Sequence, residues 1–161
     1  NLPAIYSNLA AASIKELDSA KTVLILREGM ARMEKSKAFS LAQICDARVA
    51  LSTAYISNSQ LQDADDILSL ALKESLSISE SKLQASELAK IYHCFGAVRL
   101  NQGNAKVASE YLEKAVVCAE RAGPNDLGQL KASLSLWSLI CKNLHEDAKV
   151  ADIDARLKKL N

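Results

Sequence analysis

The sequence has little of what interrupts regular backbone. It contains 5 Gly and 2 Pro in 161 residues, whereas the two together make up about 12% of an average protein, so few tight turns are possible. It also lacks an excess of charge of either sign: 20 Lys and Arg face 19 Asp and Glu, for a net charge of +1. No global field would draw phosphate backbones or anionic lipid, so direct nucleic-acid binding is not expected. No apolar run approaches the roughly 18 residues that cross a bilayer, and no membrane partner is expected. The four cysteines, Cys45, Cys94, Cys118 and Cys141, form no CxxC pair. Set within apolar helical patterns, they read as buried free thiols in an intracellular setting, cytoplasmic or nuclear. No secretory signal opens the chain and no Asn-x-Ser/Thr acceptor occurs, which agrees with that setting. The chain begins at Asn1 without an initiator Met, and the expectation is a segment excised from a longer protein.

The residues of catalytic sites are equally sparse. Only two His occur. His145 and Glu146 open a zincin-like pattern, but Lys149 stands where the second imidazole is needed. Gly123 and Gly128 have phosphate-loop spacing, yet Gln129 and Leu130 replace the required Lys and Ser or Thr. His93 and Cys94 are adjacent, and helical neighbours point about 100° apart, so they do not form a base and nucleophile. Asp63, Asp65 and Asp66 cluster at a helix start, where the dipole favours them without a metal. No catalytic residue, cofactor or metal site is expected. Lys131, Lys142, Lys158 and Lys159 are scattered among acids and read as solvated surface.

What the chain does have is Ala (25) and Leu (24), both strong helix formers. With 49% hydrophobic and 24% charged residues, it should fold into an all-α protein with a sizeable core. Apolar spacing of three and four predicts helices over 3–14, 17–35, 37–57, 61–77, 79–101, 105–121, 125–142 and 146–160. These pair into hairpins over 3–35, 37–77, 79–121 and 125–160. Ser77 and Glu80 have the spacing of a capping box at the start of the fifth helix. Gly103 is placed to close that helix in a left-handed conformation, and Pro124 suits the first turn of the seventh.

The pairs repeat. Leu51, Tyr55, Ala64, Leu68 and Ala71 recur 44 residues later as Phe95, Arg99, Ala108, Leu112 and Ala115. Ala20 and Leu24 lie 44 residues before Ala64 and Leu68, and Ala148 lies 40 after Ala108. The first and last hairpins depart from the pattern, as terminal repeats that cap a stack do. The run Tyr92, Phe95, Gly96, Gly103, Ala108, Leu112, Ala115 resembles the tetratricopeptide repeat (TPR) consensus, in its long-hairpin variety. Proteins of that variety include kinesin light chain, spindle-orientation adaptors, bacterial signal-responsive regulators, and helical subunits of the cohesin loader and the anaphase-promoting complex. The last two hairpins, with Gly96, Gly103, Asn104, Gln129 and Leu130, resemble the carboxyl end of cohesin-loader subunits.

The resemblance implies a right-handed α-solenoid of about four antiparallel hairpins, a single segment over 1–161. Its implied function is that of a non-enzymatic scaffold or adaptor in a multiprotein complex, binding a protein or peptide. The alternative is a regulatory sensor that takes a small ligand or signal peptide in the groove. By the same resemblance the leading helices line a concave face carrying Asp46, Val49, Thr53 and Ser57, then Lys90, His93, Ala97, Leu100 and Asn101. Val49 and Thr53 replace the first Lys and Asn of the family's clamp for chaperone carboxyl termini, which disfavours a heat-shock cochaperone. Trp137, the only Trp, reads either as core or as an exposed anchor for a partner. Oligomeric state is left open.

Overall fold

The computed structural model describes residues 19–36 and 38–160. The helix expected over 3–14 lies outside them. Among the described residues there are seven α-helices and no strand: α1 (Ser19–Lys35), α2 (Leu41–Ser57), α3 (Leu61–Ser75), α4 (Ser81–Asn101), α5 (Ala105–Ala122), α6 (Leu127–Asn143) and α7 (Asp147–Lys159). A 3-10 turn, Pro124–Asp126, precedes α6. The chain divides into two compact units, Asn1–Ile78 and Ser79–Asn161.

In the first unit α2 packs against both α1 and α3. Thr22, Val23, Leu26, Met30 and Met33 form the buried stripe of α1, recurring at the three-and-four spacing that keeps residues on one face. Leu24 falls off that stripe by one residue and is 58% exposed, so its expected equivalence to the buried Leu68 does not hold. α3 buries Ala64, Leu68, Ala71 and Ser75. Arg48 is enclosed between α1 and α3, with Nη2 2.9 Å from Glu34 Oε1 and Nη1 paired with Glu74. One guanidinium thus ties three helices together.

The capping box sits at another helix from the one expected. Ser40 caps α2: Gln43 N donates to Ser40 Oγ (3.3 Å), and Ser40 N donates to Gln43 Oε1 (2.9 Å). Ser77 and Glu80 form no box, because Ser77 N and Ile78 N still donate to the last carbonyls of α3. Glu80 is itself the residue flanking α4 and makes no side-chain cap.

In the second unit α4 pairs with α5 and α6 with α7, while α6 also packs on α5. The core joins Ala108, Leu112 and Val116 of α5 to Leu134, Trp137 and Ile140 of α6 and Ile153 of α7. All six positions expected between helices, Ala64, Leu68, Ala71, Ala108, Leu112 and Ala115, are fully buried. Ala148 is exposed, and it is Val150, Ile153 and Leu157 that face the core. The four cysteines are buried and free.

The three hairpin turns share one geometry. Their central residues, Ser59, Gly103 and His145, have φ of 60°, 79° and 57°. In each, the next residue closes the turn by donating back across the helix end: Gln60 N to Tyr55 O, Asn104 N to Arg99 O, and Glu146 N to Cys141 O, at 2.8 to 2.9 Å. A second bond lies inside each, from Ser59 N, Gly103 N and His145 N to Ile56, Leu100 and Lys142 O. This is the paired bonding that satisfies the orphan carbonyls of a helix end. Glycine adopts this conformation freely, whereas Ser59 and His145 carry a cost of roughly 1 to 2 kcal/mol each. His145 is therefore a turn residue. Its position, 42 residues after Gly103, also explains why a 40-residue offset misplaced Ala148.

Candidate protein-interaction surface

The leading helices of the second and third hairpins, α2 and α4, each carry a stripe of residues expected to face a partner. On α2 it consists of Asp46, Thr53 and Ser57, all exposed, with Val49 half-buried between them. Two hydroxyls on this stripe bond to their own helix: Thr53 Oγ1 donates to Val49 O and Ser57 Oγ to Thr53 O, each at 3.0 Å. Such back-bonding lowers the polarity that a stripe presents. Asn101 at the end of α4 behaves alike, its Nδ2 donating to Ala97 O at 2.9 Å.

Of the five stripe residues on α4 only Asn101 is exposed; Lys90, His93, Ala97 and Leu100 are half-buried. Leu100 packs against the core. Lys90 Nζ stands 2.9 Å from Oε1 of Glu87, a residue only 1% exposed. Sequence reasoning missed this carboxylate, although its spacing of three from Lys90 was a signal for an ion pair. Lys90 is thus a counter-ion as well as a surface charge. Lys90→Glu, read from sequence alone, should alter association more than stability. With Glu87 beneath it, the change sets two carboxylates together and is expected to destabilise the protein by about 2 kcal/mol or more, with Lys90→Arg close to neutral. Equal denaturation midpoints for Lys90→Glu and wild type would show that Glu87 does not depend on this cation.

His93 is drawn into the seam between α4 and α6. Gln129 Nε2 donates to Ser133 Oγ (3.1 Å), and the same hydroxyl is hydrogen-bonded to His93 Nδ1 (3.1 Å). A second bond crosses the same seam, from Ser86 Oγ to Asp126 Oδ1 at 3.0 Å. Burial holds the His93 imidazole below its ordinary value of 6.5. The unfolded chain therefore takes up a proton at higher pH than the folded one. The stability associated with neutral His93 is complete above about 6.5 and declines as pH falls below it. A melting temperature that drops between pH 7 and pH 5 in the wild type, and less steeply in His93→Gln, is the expected result. Parallel profiles would assign the acid sensitivity to other groups.

Trp137 is not an exposed anchor. It is 7% exposed within the core, and Nε1 donates to Ser109 Oγ at 2.8 Å. Among the described residues, no three His, Cys, Asp or Glu side chains are grouped to hold a metal ion.

The second and third hairpins agree in how their helices meet. Ala64, Leu68 and Ala71 on α3, and Ala108, Leu112 and Ala115 on α5, are buried at equivalent positions after equivalent turns. In the third, Gly96 lets the helices approach until a Cβ on it would lie 2.9 Å from Leu112 Cγ. The hairpins are TPR-like. No family model matches the chain, and comparison with curated proteins gives no match. Among solved structures, the chain is similar to TPR-like repeats, nearly identical to one another, assigned to a kinesin light chain of Podosopora anserina, with 13% identity over 99% of this chain and 96% of that one and a TM-score of 0.48. It is also similar to BtubC (BKLC) from P. vanneervenii, with 16% identity over 99% and 80% and a TM-score of 0.46. Each of the second and third hairpins carries its own leading-helix stripe, with Asp46, Thr53 and Ser57 exposed on α2 and Asn101 exposed on α4.

Proposed function

We propose that the chain is a non-enzymatic protein-interaction module, a scaffold or adaptor within a multiprotein complex, that binds a protein or peptide through the leading-helix faces of its hairpins. The observation that carries this reading is the repeated hairpin itself. Its close helix contacts and closed turns fix α2 and α4 within their hairpins, and each carries a stripe of exposed and half-buried side chains. Asp46, Val49, Thr53 and Ser57 serve on α2; Lys90, His93, Ala97, Leu100 and Asn101 serve on α4. The four buried free thiols fit a reducing, intracellular environment. No described helix is long and apolar enough to cross a membrane.

Photo-crosslinking tests the assignment. A photoreactive residue introduced at Thr53 or Asn101 is expected to capture a partner from cell extract that the same residue placed at exposed Lys106 does not. Asn101→Ala, which removes no core contact, should weaken binding of that partner by about fivefold or more if Asn101 is among the few residues that dominate the contact. Capture from Lys106 alone would move the binding surface to another face.

A further inference from the structure

Unit Ser79–Asn161 has a second accessible face, distinct from the stripe on α4. There Phe95 of α4 stacks on Tyr111 of α5 with ring centroids 5.2 Å apart, and Tyr92 lies 6.3 Å from Tyr111. A shallow cavity of about 450 Å³ opens over Tyr92, lined also by Glu110, Glu113, Lys114, Val117 and Cys118. The aromatic group already holds cations from its own chain. Lys114 Nζ is 5.3 Å from the Tyr111 centroid and 5.9 Å from that of Tyr92, and the Arg99 guanidinium is 5.9 Å from Tyr111. Ring faces attract cations because their quadrupole is negative there.

The two cations differ in how they are held. Arg99 Nη1 donates to Gln102 Oε1 at 2.9 Å, whereas Lys114 is exposed and extends from a flexible four-carbon stem. Two carboxylates and one ammonium line the cavity, so the lining itself carries one negative charge in excess. Glu113 also faces Lys149 electrostatically. Glu110 stands one helical turn before Lys114 on the same side of α5, in reach of a charge that takes the place of that ammonium. Val117, 50% exposed, offers apolar surface to the stem of a long side chain.

We propose that this cavity binds an arginine side chain presented by a segment of a partner protein, its guanidinium displacing Lys114 from the Tyr92 ring and pairing with Glu110. Arginine suits it better than lysine because a planar guanidinium both stacks on a ring and pairs with a carboxylate through two parallel bonds. Lys114 acts as an internal competitor.

The test is an NMR titration of the full chain with acetyl-Gly-Arg-Gly-amide. Amide shifts are expected at Tyr92, Lys114, Val117 and Cys118, with acetyl-Gly-Glu-Gly-amide producing none there. Lys114→Ala should tighten binding by about threefold by removing the competitor, and Glu110→Gln should weaken it by about threefold or more. Asn101→Ala should leave the titration unchanged, so the outcome is separate from that of the leading-helix faces. Absence of shifts at these residues, equal response to the Glu peptide, unchanged or weaker binding in Lys114→Ala, or unchanged binding in Glu110→Gln would each overturn the assignment.

Discussion

Trp137→Ala is expected to lower stability by about 4 kcal/mol, in the upper range for truncation of a buried aromatic side chain. The indole belongs to the second unit's core, in one cluster with Leu112 and Val116 of α5 and Ile153 of α7. Its removal forfeits the transfer free energy of a large side chain and leaves a cavity that the surrounding helices only partly close. It also leaves Ser109, 6% exposed, without the indole N–H it receives at 2.8 Å. Trp137→Phe retains most of the volume and loses the donor, so a cost of about 1 to 2 kcal/mol is expected. Chemical denaturation of the two variants separates these terms. If Trp137→Ala unfolds at the same denaturant concentration as the wild type, the residue is no core element. The surface-anchor reading would then regain its place.

Gly96→Leu should cost about 3 kcal/mol through overpacking. A Cβ at this position meets Leu112 Cγ at 2.9 Å, Leu112 Cδ2 at 3.2 Å and Ala108 O at 3.4 Å. Leu112 is fully buried, and the carbonyl of Ala108 belongs to the backbone of α5. The helices α4 and α5 must therefore separate to admit the larger side chain. Gly96→Ala is expected to be much milder, because alanine gains about 1 kcal/mol of helix propensity over glycine, which offsets part of the contact. A graded loss from Gly to Ala to Leu in thermal melts fits a close helix crossing. Equal melting of Gly96→Leu and wild type would show that the helices do not meet at Gly96.

Both residues show where reading the chain succeeded and where it stopped. The glycine was legible because it stands in a pattern: Ala108, Leu112 and Ala115 repeat Ala64, Leu68 and Ala71, and Gly96 precedes them in the run that resembles the repeat consensus. Trp137 was ambiguous because periodicity assigns a residue to a helix face without saying what covers that face. The same limit explains Lys90 and His93. Helical spacing placed them on one stripe of α4, but not beside a buried Glu87 or against Ser133 of α6. Leu24 and Ala148 failed for a related reason. Leu24 carried the 44-residue offset into a helix whose buried stripe lies one residue away, and Ala148 carried a 40-residue offset where the turns are 42 apart.

Local chemistry by itself determined the helices, their approximate ends, the pairing of 37–77, 79–121 and 125–160 into hairpins, and the six small and large apolar positions buried between them. These follow from backbone propensity and from spacing that repeats within a turn or a hairpin, and both are properties of neighbouring residues. Tertiary structure decided which residue caps α2, that His145 and Ser59 take the left-handed turn that glycine takes at Gly103, and that Arg48 and Glu87 are buried with charged partners. It also decided that Lys114 and Tyr92 meet across α4 and α5. Arg48 and Tyr92 depend on side chains contributed by another helix, and Ser59 and His145 on a backbone bond closed around a turn. Ser40 with Gln43 and Lys90 with Glu87 are local pairs of spacing three; spacing can suggest such a partner, but the burial that sets the free energy of a polar group comes from the packed helices.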